Sequence, residues 1–291
     1  MEWLTTGEAA ELVDVHASTV QRWCDDGDLP CRTTDGGHRR IGFDDLLGFV
    51  RERDVLPARY GEDTLRVYRA LVDVHRAERW EGLVECVYEW VSEGVAGRTG
   101  RLLSTLVETG LPLSDVLDGC IAGVLYRIGQ AWENDHLGIG DEHRMVHRLE
   151  DGLHELRVGF SNADEEVGAR PQALVAGTEA NYHSMGALMV RMLVEAAGWN
   201  VAYLGAAVPS EEVAGQQHQI DARLVCISVP RPSLVSDARR VVSVLERYYD
   251  EERPYRLVLG GDGARGATDF TSKDAPFLGI RVLGRDRKSV V

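Results

Sequence analysis

Asn181-Tyr182-His183-Ser184-Met185-Gly186 stands between an unbroken apolar run, residues 173–177, and an apolar segment at helical spacing, residues 187–197. A short buried strand, a polar loop and a helix make the first half of a βαβ unit. In an open parallel sheet, ligands collect at the loop that follows the strand's carboxyl end. A histidine held there can coordinate a metal, and a glycine at Gly186 lets a bulky group lie close to the start of the helix. Taken alone, a loop histidine is as readily solvated or locally hydrogen-bonded. Two more strand ends give it company: Cys226-Ile227-Ser228 closes a second buried run, and Leu259-Gly260-Gly261 closes a third.

Working outward, strands are expected at residues 173–177, 201–205, 224–229, 257–260 and 281–283, with a helix after each of the first four. That alternation is the pattern of a five-stranded, flavodoxin-like, doubly wound parallel sheet over residues 171–285. The polar, acidic stretch 161–170 reads as a linker before it and 285–291 as a loose tail. A phospho-receiver needs an aspartate at the third strand end, where this chain has Ser228. A flavin carrier wants a phosphate-cradling loop of Ser, Thr and Gly after the first strand, where Thr178, Glu179 and His183 stand instead.

The spacing His183-x-x-Gly186, Ser228-x-Pro230, Gly260-Gly261 resembles that of the cobalamin-binding domain shared by methionine synthase and its relatives. The resemblance implies His183 as the lower axial cobalt ligand, Ser228 against the detached benzimidazole, and Gly260 and Gly261 leaving room for the nucleotide tail. It departs at Asn181, where the family carries a carboxylate. A carboxylate would fix the imidazole tautomer and raise its basicity, which an amide cannot do.

Upstream, residues 62–160 carry apolar positions three and four apart in four runs, around Leu65–Val72, Leu83–Val91, Val116–Ile128 and Met145–Leu156. The expectation is a four-helix bundle. Its last connection, residues 132–141, is rich in polar and aromatic groups. Trp132, nine residues and then Glu142-His143 resemble an element of the CarH-type, light-sensing repressors. By that resemblance the bundle caps the cofactor, with Trp132 and Glu142 enclosing the adenosyl group of adenosylcobalamin. Other readings of the same residues are a core tryptophan beside a solvated Glu-His pair, or a zinc site on His143 and His147, one turn apart but without an evident third ligand. A second departure is Glu133, where that family places the histidine that becomes the upper cobalt ligand after photolysis; the alternatives are water, His136 after loop movement, or no stable bis-histidine adduct.

Residues 1–56 form the first unit. Thr5 or Thr6 can cap a first helix, Ser18 a second over residues 19–26 closed at Gly27, and Asp44 a third through Leu46, Leu47 and Val50. Between them, residues 32–41 read as two extended arms joined at Gly36-Gly37 and tipped with His38, Arg39 and Arg40. A small helical adaptor would explain the helices but not the clustered cations. The order closely resembles the winged helix-turn-helix of the MerR superfamily in its short, excisionase-like form. That implies Ser18, Thr19, Gln21 and Arg22 in the major groove and His38, Arg39 and Arg40 on the backbone or minor groove.

The 291 residues carry 32 Lys and Arg against 47 Asp and Glu, a formal net charge of −15, which argues against a chain that coats nucleic acid along its whole surface. Five scattered cysteines without a CxxC motif indicate neither a disulfide framework nor a cysteine zinc site. No apolar run approaches the roughly 20 residues of a membrane span, and the chain opens without a signal pattern, so the expectation is a cytoplasmic protein. Together the resemblances imply a non-enzymatic, cobalamin-dependent transcriptional regulator, a repressor that senses light through adenosylcobalamin, with an operator duplex and a homo-oligomer, dimer or tetramer, as partners. Two alternatives stay open: the same architecture sensing another cobalamin or tetrapyrrole, and a corrinoid carrier for methyl transfer.

Overall fold

The computed structural model describes residues 3–13, 15–34, 36–43, 45–46, 48–49, 60, 63–95, 97–160, 170–264 and 280–283. Its chain divides into two compact units, Met1–Gly152 and Leu153–Val291.

The first unit begins with β1 (Trp3–Leu4), α1 (Thr6–Leu12), α2 (Ala17–Asp25), β2 (Cys31–Thr33) and β3 (Arg39–Gly42), the strands forming an antiparallel sheet in the order β1-β3-β2. Helix α1 starts at a reciprocal pair: the Glu8 amide donates to Thr5 Oγ1 at 3.1 Å and the Thr5 amide to Glu8 Oε2 at 2.7 Å. Each satisfies a donor that the first helical turn leaves unpaired. The second helix departs from the sequence expectation, because its cap is His16 and not Ser18. His16 has extended backbone, and its Nδ1 accepts from the Ser18 amide at 3.4 Å and lies 2.8 Å from Ser18 Oγ, so a ring nitrogen takes the part usually played by a hydroxyl. Gly27 ends the helix with φ +77°, and its amide donates to Cys24 O. Ala9, Val20, Leu29, Ile41, Phe43 and Leu46 form the core beneath. Of the helix expected after Asp44, that residue and Leu47 and Val50 lie outside the described residues.

The bundle follows: α3 (Thr64–Ala77), α4 (Glu81–Glu93), α5 (Arg98–Glu108), α6 (Leu113–Val116), α7 (Ala122–Glu133) and α8 (Ile139–Phe160). Helices α6 and α7 are one helical run joined by a π-helical turn, Leu117–Ile121. The expected four helices are therefore five runs among the described residues, and α5 is the one the periodicity missed. Its inward face mixes Leu102, Leu103 and Leu106 with Thr99, Gly100 and Thr105, so small and hydroxyl residues dilute the apolar signal although all six are buried. The π turn sits where the Trp80 indole presses on bare backbone, since a Cβ at Gly119 would meet the ring at under 3 Å. One added residue in a turn is a known way to fit a bulky contact.

Tyr60 is fully buried, although the stretch 54–63, with Pro57 and Gly61, reads from sequence as a first linker. Its ring stacks on Trp90 at 5.8 Å and its hydroxyl lies 3.0 Å from Thr105 Oγ1. Residues 54–59 and 61–62 of that linker, and all of the second linker but Arg170, lie outside the described residues, as does the tail. The connection expected over residues 132–141 is shorter in fact: Trp132 and Glu133 belong to the last turn of α7, and only residues 134–138 link it to α8.

In the second unit, β4 (Gln172–Gly177), β5 (Asn200–Gly205), β6 (Leu224–Ser228), β7 (Arg256–Gly260) and β8 (Ile280–Leu283) form a sheet in the order β5-β4-β6-β7-β8, every pairing parallel. Alternate residues serve opposite faces. Val175 and Cys226 pack with Ala187 of α9 (Met185–Ala196). Leu174, Ala176, Val225, Ile227, Leu257 and Leu259 pack with α10 (Ser210–Ile220) and α11 (Val235–Arg247). Helices on both faces leave the strand ends as the open rim, with the order reversing at β4, the switch point where such sheets bind ligands. The connection between β7 and β8 that should carry a fourth helix lies outside the described residues beyond Ala264.

Away from that rim, Arg157 at the end of α8 grips Glu195 of α9 through Nε (2.6 Å) and Nη2 (2.9 Å), and Arg191 adds a third bond at 2.9 Å. Burial pushes the Glu195 carboxyl up, but the two guanidiniums outweigh it and hold it below its ordinary range. Among the described residues no helix is long and apolar enough to cross a membrane.

Candidate functional site

The carboxyl ends of the strands meet in register. Gly177 pairs with Ser228, Ser228 with Gly260, and Ala176 with Gly205. Three of these strand-terminal positions have no side chain, so the rim is low in steric bulk where four strands end. The loop after β4 is fastened across it by Asn181, fully buried. The Asn181 amide group donates from Nδ2 to the Ser228 carbonyl at 3.4 Å and accepts through Oδ1 from the His183 backbone amide at 3.0 Å. Its own main chain donates to Thr178 O at 2.9 Å and accepts from Ala207 at 2.8 Å. Both side-chain bonds go to main chain, so Asn181 shapes the loop that presents His183. Tyr182 and His183 are left exposed, Tyr182 at 81 %.

The candidate residues on the rim divide by what they leave open. A Cβ on Gly186 would come within 2.8 Å of Ser228 Oγ, so α9 starts directly against that serine. A Cβ on Gly260 would meet nothing within 4 Å. Gly261 has φ +116°, and a Cβ there would lie 2.5 Å from the Val229 carbonyl oxygen. Gly263, unremarked in the sequence reading, is pressed against the Arg231 carbonyl in the same way, and its amide donates to Val229 O at 2.9 Å. The glycines therefore do two jobs, Gly260 leaving open space and Gly261 and Gly263 allowing two loops to pack backbone on backbone. Thr178, at the end of β4, is fully buried with its Oγ1 lacking a hydrogen-bond partner. An orphaned hydroxyl where β4 ends, two strands from the open Gly260, fits a rim completed by a polar group from outside the chain.

On the bundle, Trp132 is 40 % exposed, which removes the reading of it as a core tryptophan. Glu142 and His143 lie in the first turn of α8, with Glu142 Oε2 3.4 Å from His143 Nε2; the Glu142 side chain is 22 % exposed and that of His143 68 %. His147 pairs instead with Glu150 at 3.3 Å. Among the described residues no group of three or more His, Cys, Asp or Glu could hold a metal ion, so the zinc reading of His143 and His147 gains no third ligand. Glu133 and His136 are both exposed.

On the head, the helix-turn-helix and hairpin within residues 1–56, Val20 turns into the core while Ser18, Gln21 and Arg22 are exposed and Thr19 is half-buried, so α2 presents a polar outer face. The hairpin closes through Thr34, whose amide donates to His38 O at 2.9 Å and whose Oγ1 accepts from the His38 amide at 3.2 Å. His38 is exposed and Arg40 half-buried, Arg40 donating to the Arg39 carbonyl at 3.4 Å. Arg39 is engaged with Asp25. Sequence reasoning also missed that Cys24 and Cys31, on α2 and β2, face each other: burial and then the Cys31 thiol push Cys24 up to about 12. Spacing alone held no cue to either contact, because the helix and hairpin meet only through the fold.

Two family models match the chain, a helix-turn-helix domain over residues 3–54 and a B12 binding domain over residues 171–289. The chain thus joins a DNA-binding type of domain to a cobalamin-binding one. No curated protein matches it significantly. Among solved structures it resembles the Methanosarcina barkeri monomethylamine corrinoid protein, with a TM-score of 0.54 at 12 % identity over 70 % of this chain and 94 % of that one. A novel cobalamin-binding protein from Desulfitobacterium hafniense matches at a TM-score of 0.31 and 17 % identity, over 61 % and 83 % of the two chains. The methanol:cobalamin methyltransferase complex MtaBC from Methanosarcina barkeri matches at 0.34 and 17 %, over 74 % and 78 %. At 12 % identity the likeness to the monomethylamine corrinoid protein speaks for the fold alone.

Proposed function

We propose that the chain is a cobalamin-dependent, DNA-binding transcriptional regulator, non-enzymatic and cytoplasmic, in which residues 1–56 bind duplex DNA, 62–160 form the cofactor-capping bundle and 171–285 hold the cofactor. The observation that carries the proposal is the rim itself, where an orphaned Thr178 hydroxyl, the open edge at Gly260 and the exposed His183 lie along the ends of one sheet. A neutral imidazole is a good cobalt ligand. His183 would supply it, Gly186 and Ser228 would meet the detached base, and Gly260 and Gly261 would pass the nucleotide tail. Trp132 and Glu142, with His143 beside them, are the bundle groups assigned to an adenosyl substituent, the indole by stacking and the carboxylate by accepting from sugar hydroxyls.

The finer reading is a light-sensing repressor. When bound, adenosylcobalamin supplies a cobalt–carbon bond that light breaks. Ser18, Thr19, Gln21 and Arg22 would read the operator, and of the three hairpin cations His38 and Arg40 would hold its backbone, Arg39 being engaged by Asp25. A single small head binds weakly, so a MerR-like oligomer of two or four chains would gain its hold by linkage and lose it on dispersal. Glu133 favours a second reading, the same architecture answering to another form of cobalamin, because a carboxylate stands where a ligating histidine is expected.

The test is an absorbance spectrum of the purified chain supplied with adenosylcobalamin in the dark and after green light, followed by a gel shift on its own upstream region. Retained cofactor, a light-dependent spectrum and a light-dependent shift are expected. A chain that retains no cobalamin overturns the proposal, and a spectrum indifferent to light reduces it to cofactor sensing.

A further inference from the structure

One ion pair on the head runs against the surface it sits on. Arg39, on β3, donates through Nε at 3.0 Å and Nη2 at 2.5 Å to Oδ1 of Asp25, in the last turn of α2. Arg22 and Arg40 are on the same small domain, and among the described residues neither has a carboxylate within ion-pair distance. Asp25 opens the run Asp25-Asp26-Gly27-Asp28, three carboxylates in four residues at the end of the helix. Their placement is costly for a duplex-binding surface, since each repels phosphate.

The pair is not there to hold the fold. The side chains are 33 % and 55 % exposed, and ion pairs in water contribute little to stability. Its effect on a passing phosphate is more direct. Both Arg39 bonds end on one carboxylate oxygen, which a phosphate oxygen would have to displace, and the displaced carboxylate would stay nearby as a like charge to that phosphate. Sequence-independent affinity is built from such phosphate contacts, one counterion released for each.

We propose that Asp25 is a specificity-determining residue: by occupying the Arg39 guanidinium it withholds one phosphate contact from any duplex, so that binding depends on what α2 reads. The inference rests on the reading of the head as a DNA-binding domain.

The test is titration of the full chain against a labelled duplex of random sequence over a series of KCl concentrations. Asp25→Ala is expected to bind more tightly and to steepen the log–log salt dependence by about 0.9, the share of one further phosphate. Asp26→Ala removes the same charge without freeing Arg39, and should tighten binding with the slope unchanged. Arg39→Gln alone should leave the wild-type slope, and the double variant Asp25→Ala/Arg39→Gln should return to it. A wild-type slope in Asp25→Ala, or equal steepening by Asp25→Ala and Asp26→Ala, overturns the inference while leaving the head's function intact. A wild-type chain with no salt-dependent duplex affinity overturns both. Asp25→Asn, which keeps the side chain's shape, replaces the alanine variant if circular dichroism shows that one misfolded, with the same outcomes deciding.

Discussion

At the rim of the α/β unit, Gly261 has φ +116° and a Cβ there would sit 2.5 Å from the Val229 carbonyl oxygen, whereas on the head the half-buried Arg40 guanidinium donates to the Arg39 carbonyl at a long 3.4 Å. The rim is made by leaving side chains out so that backbones can close on one another. The head's binding face is made by adding charged groups to a core that does not need them. Close packing punishes an added methyl group, while a solvated arginine can be exchanged with little effect on folding. The rim should therefore be intolerant in stability, and the head tolerant in stability but graded in binding.

The largest effect is expected at Gly261→Ala, which combines a positive φ with a clash against main chain that cannot swing away. A loss of about 3 kcal/mol in the unfolding free energy is expected, read by denaturant melts of the apo chain. A loss below about 0.5 kcal/mol would show that the two loops give way easily and that the rim is no stricter than an ordinary surface.

Glu195→Ala asks whether intolerance belongs to the whole unit or to its rim, because it breaks the Arg157 and Arg191 bonds away from the strand ends. The pair is intermediate between exposed and buried, and a cost of about 2 kcal/mol is expected. The sign of its pH dependence follows from the depressed carboxyl. The folded state binds fewer protons there than the unfolded chain, so the contribution is complete above the ordinary value of 4.5 and is lost as pH falls through the lower folded value. Acid melts should thus converge for the variant and wild type at the lowest pH, and a constant gap down to that limit would count against the ion pair as the cause.

His183→Ala separates binding from folding on the rim itself. The imidazole is exposed, so stability should change by less than about 0.5 kcal/mol, while cobalamin carried through gel filtration should fall sharply. Full retention would remove His183 as the cobalt ligand. Smallest of all in stability is Arg40→Gln, again within about 0.5 kcal/mol. Its signature is a salt slope on random duplex reduced by about 0.9, and an unchanged slope would take Arg40 off the phosphate contacts.

The strands of the α/β unit were legible because each is a short apolar run closed by glycine or a small polar residue, and observed and expected ends differ by about one residue. Helix α5 was not, because Thr99, Gly100 and Thr105 are buried without being apolar. Tyr60 was hidden by its neighbourhood: a lone aromatic among proline, arginine and glycine reads as linker, and only the stack on Trp90 and the Thr105 hydroxyl show that it belongs to a core. His16 in place of Ser18 as a helix cap shows the same limit, since the choice between two capping side chains two residues apart is settled by backbone angles.

By itself, then, the sequence determined the succession of parts and the residues at which chemistry is possible: a cationic hairpin after two helices, a helical middle, and an α/β half whose His183, Ser228, Gly260 and Gly261 fall at strand ends. Periodicity and turn residues are local properties, readable one segment at a time. Tertiary structure alone decided which of these groups meet. It buried Asn181 so that its amide fastens His183's loop to the Ser228 carbonyl, left Thr178 without a partner, pressed Gly261 and Gly263 onto the loop after β6, and tied Arg39 to Asp25. Those contacts, and the Thr178 hydroxyl left over from them, are set by where packing places backbones that are far apart in sequence or on different elements, which no local pattern records.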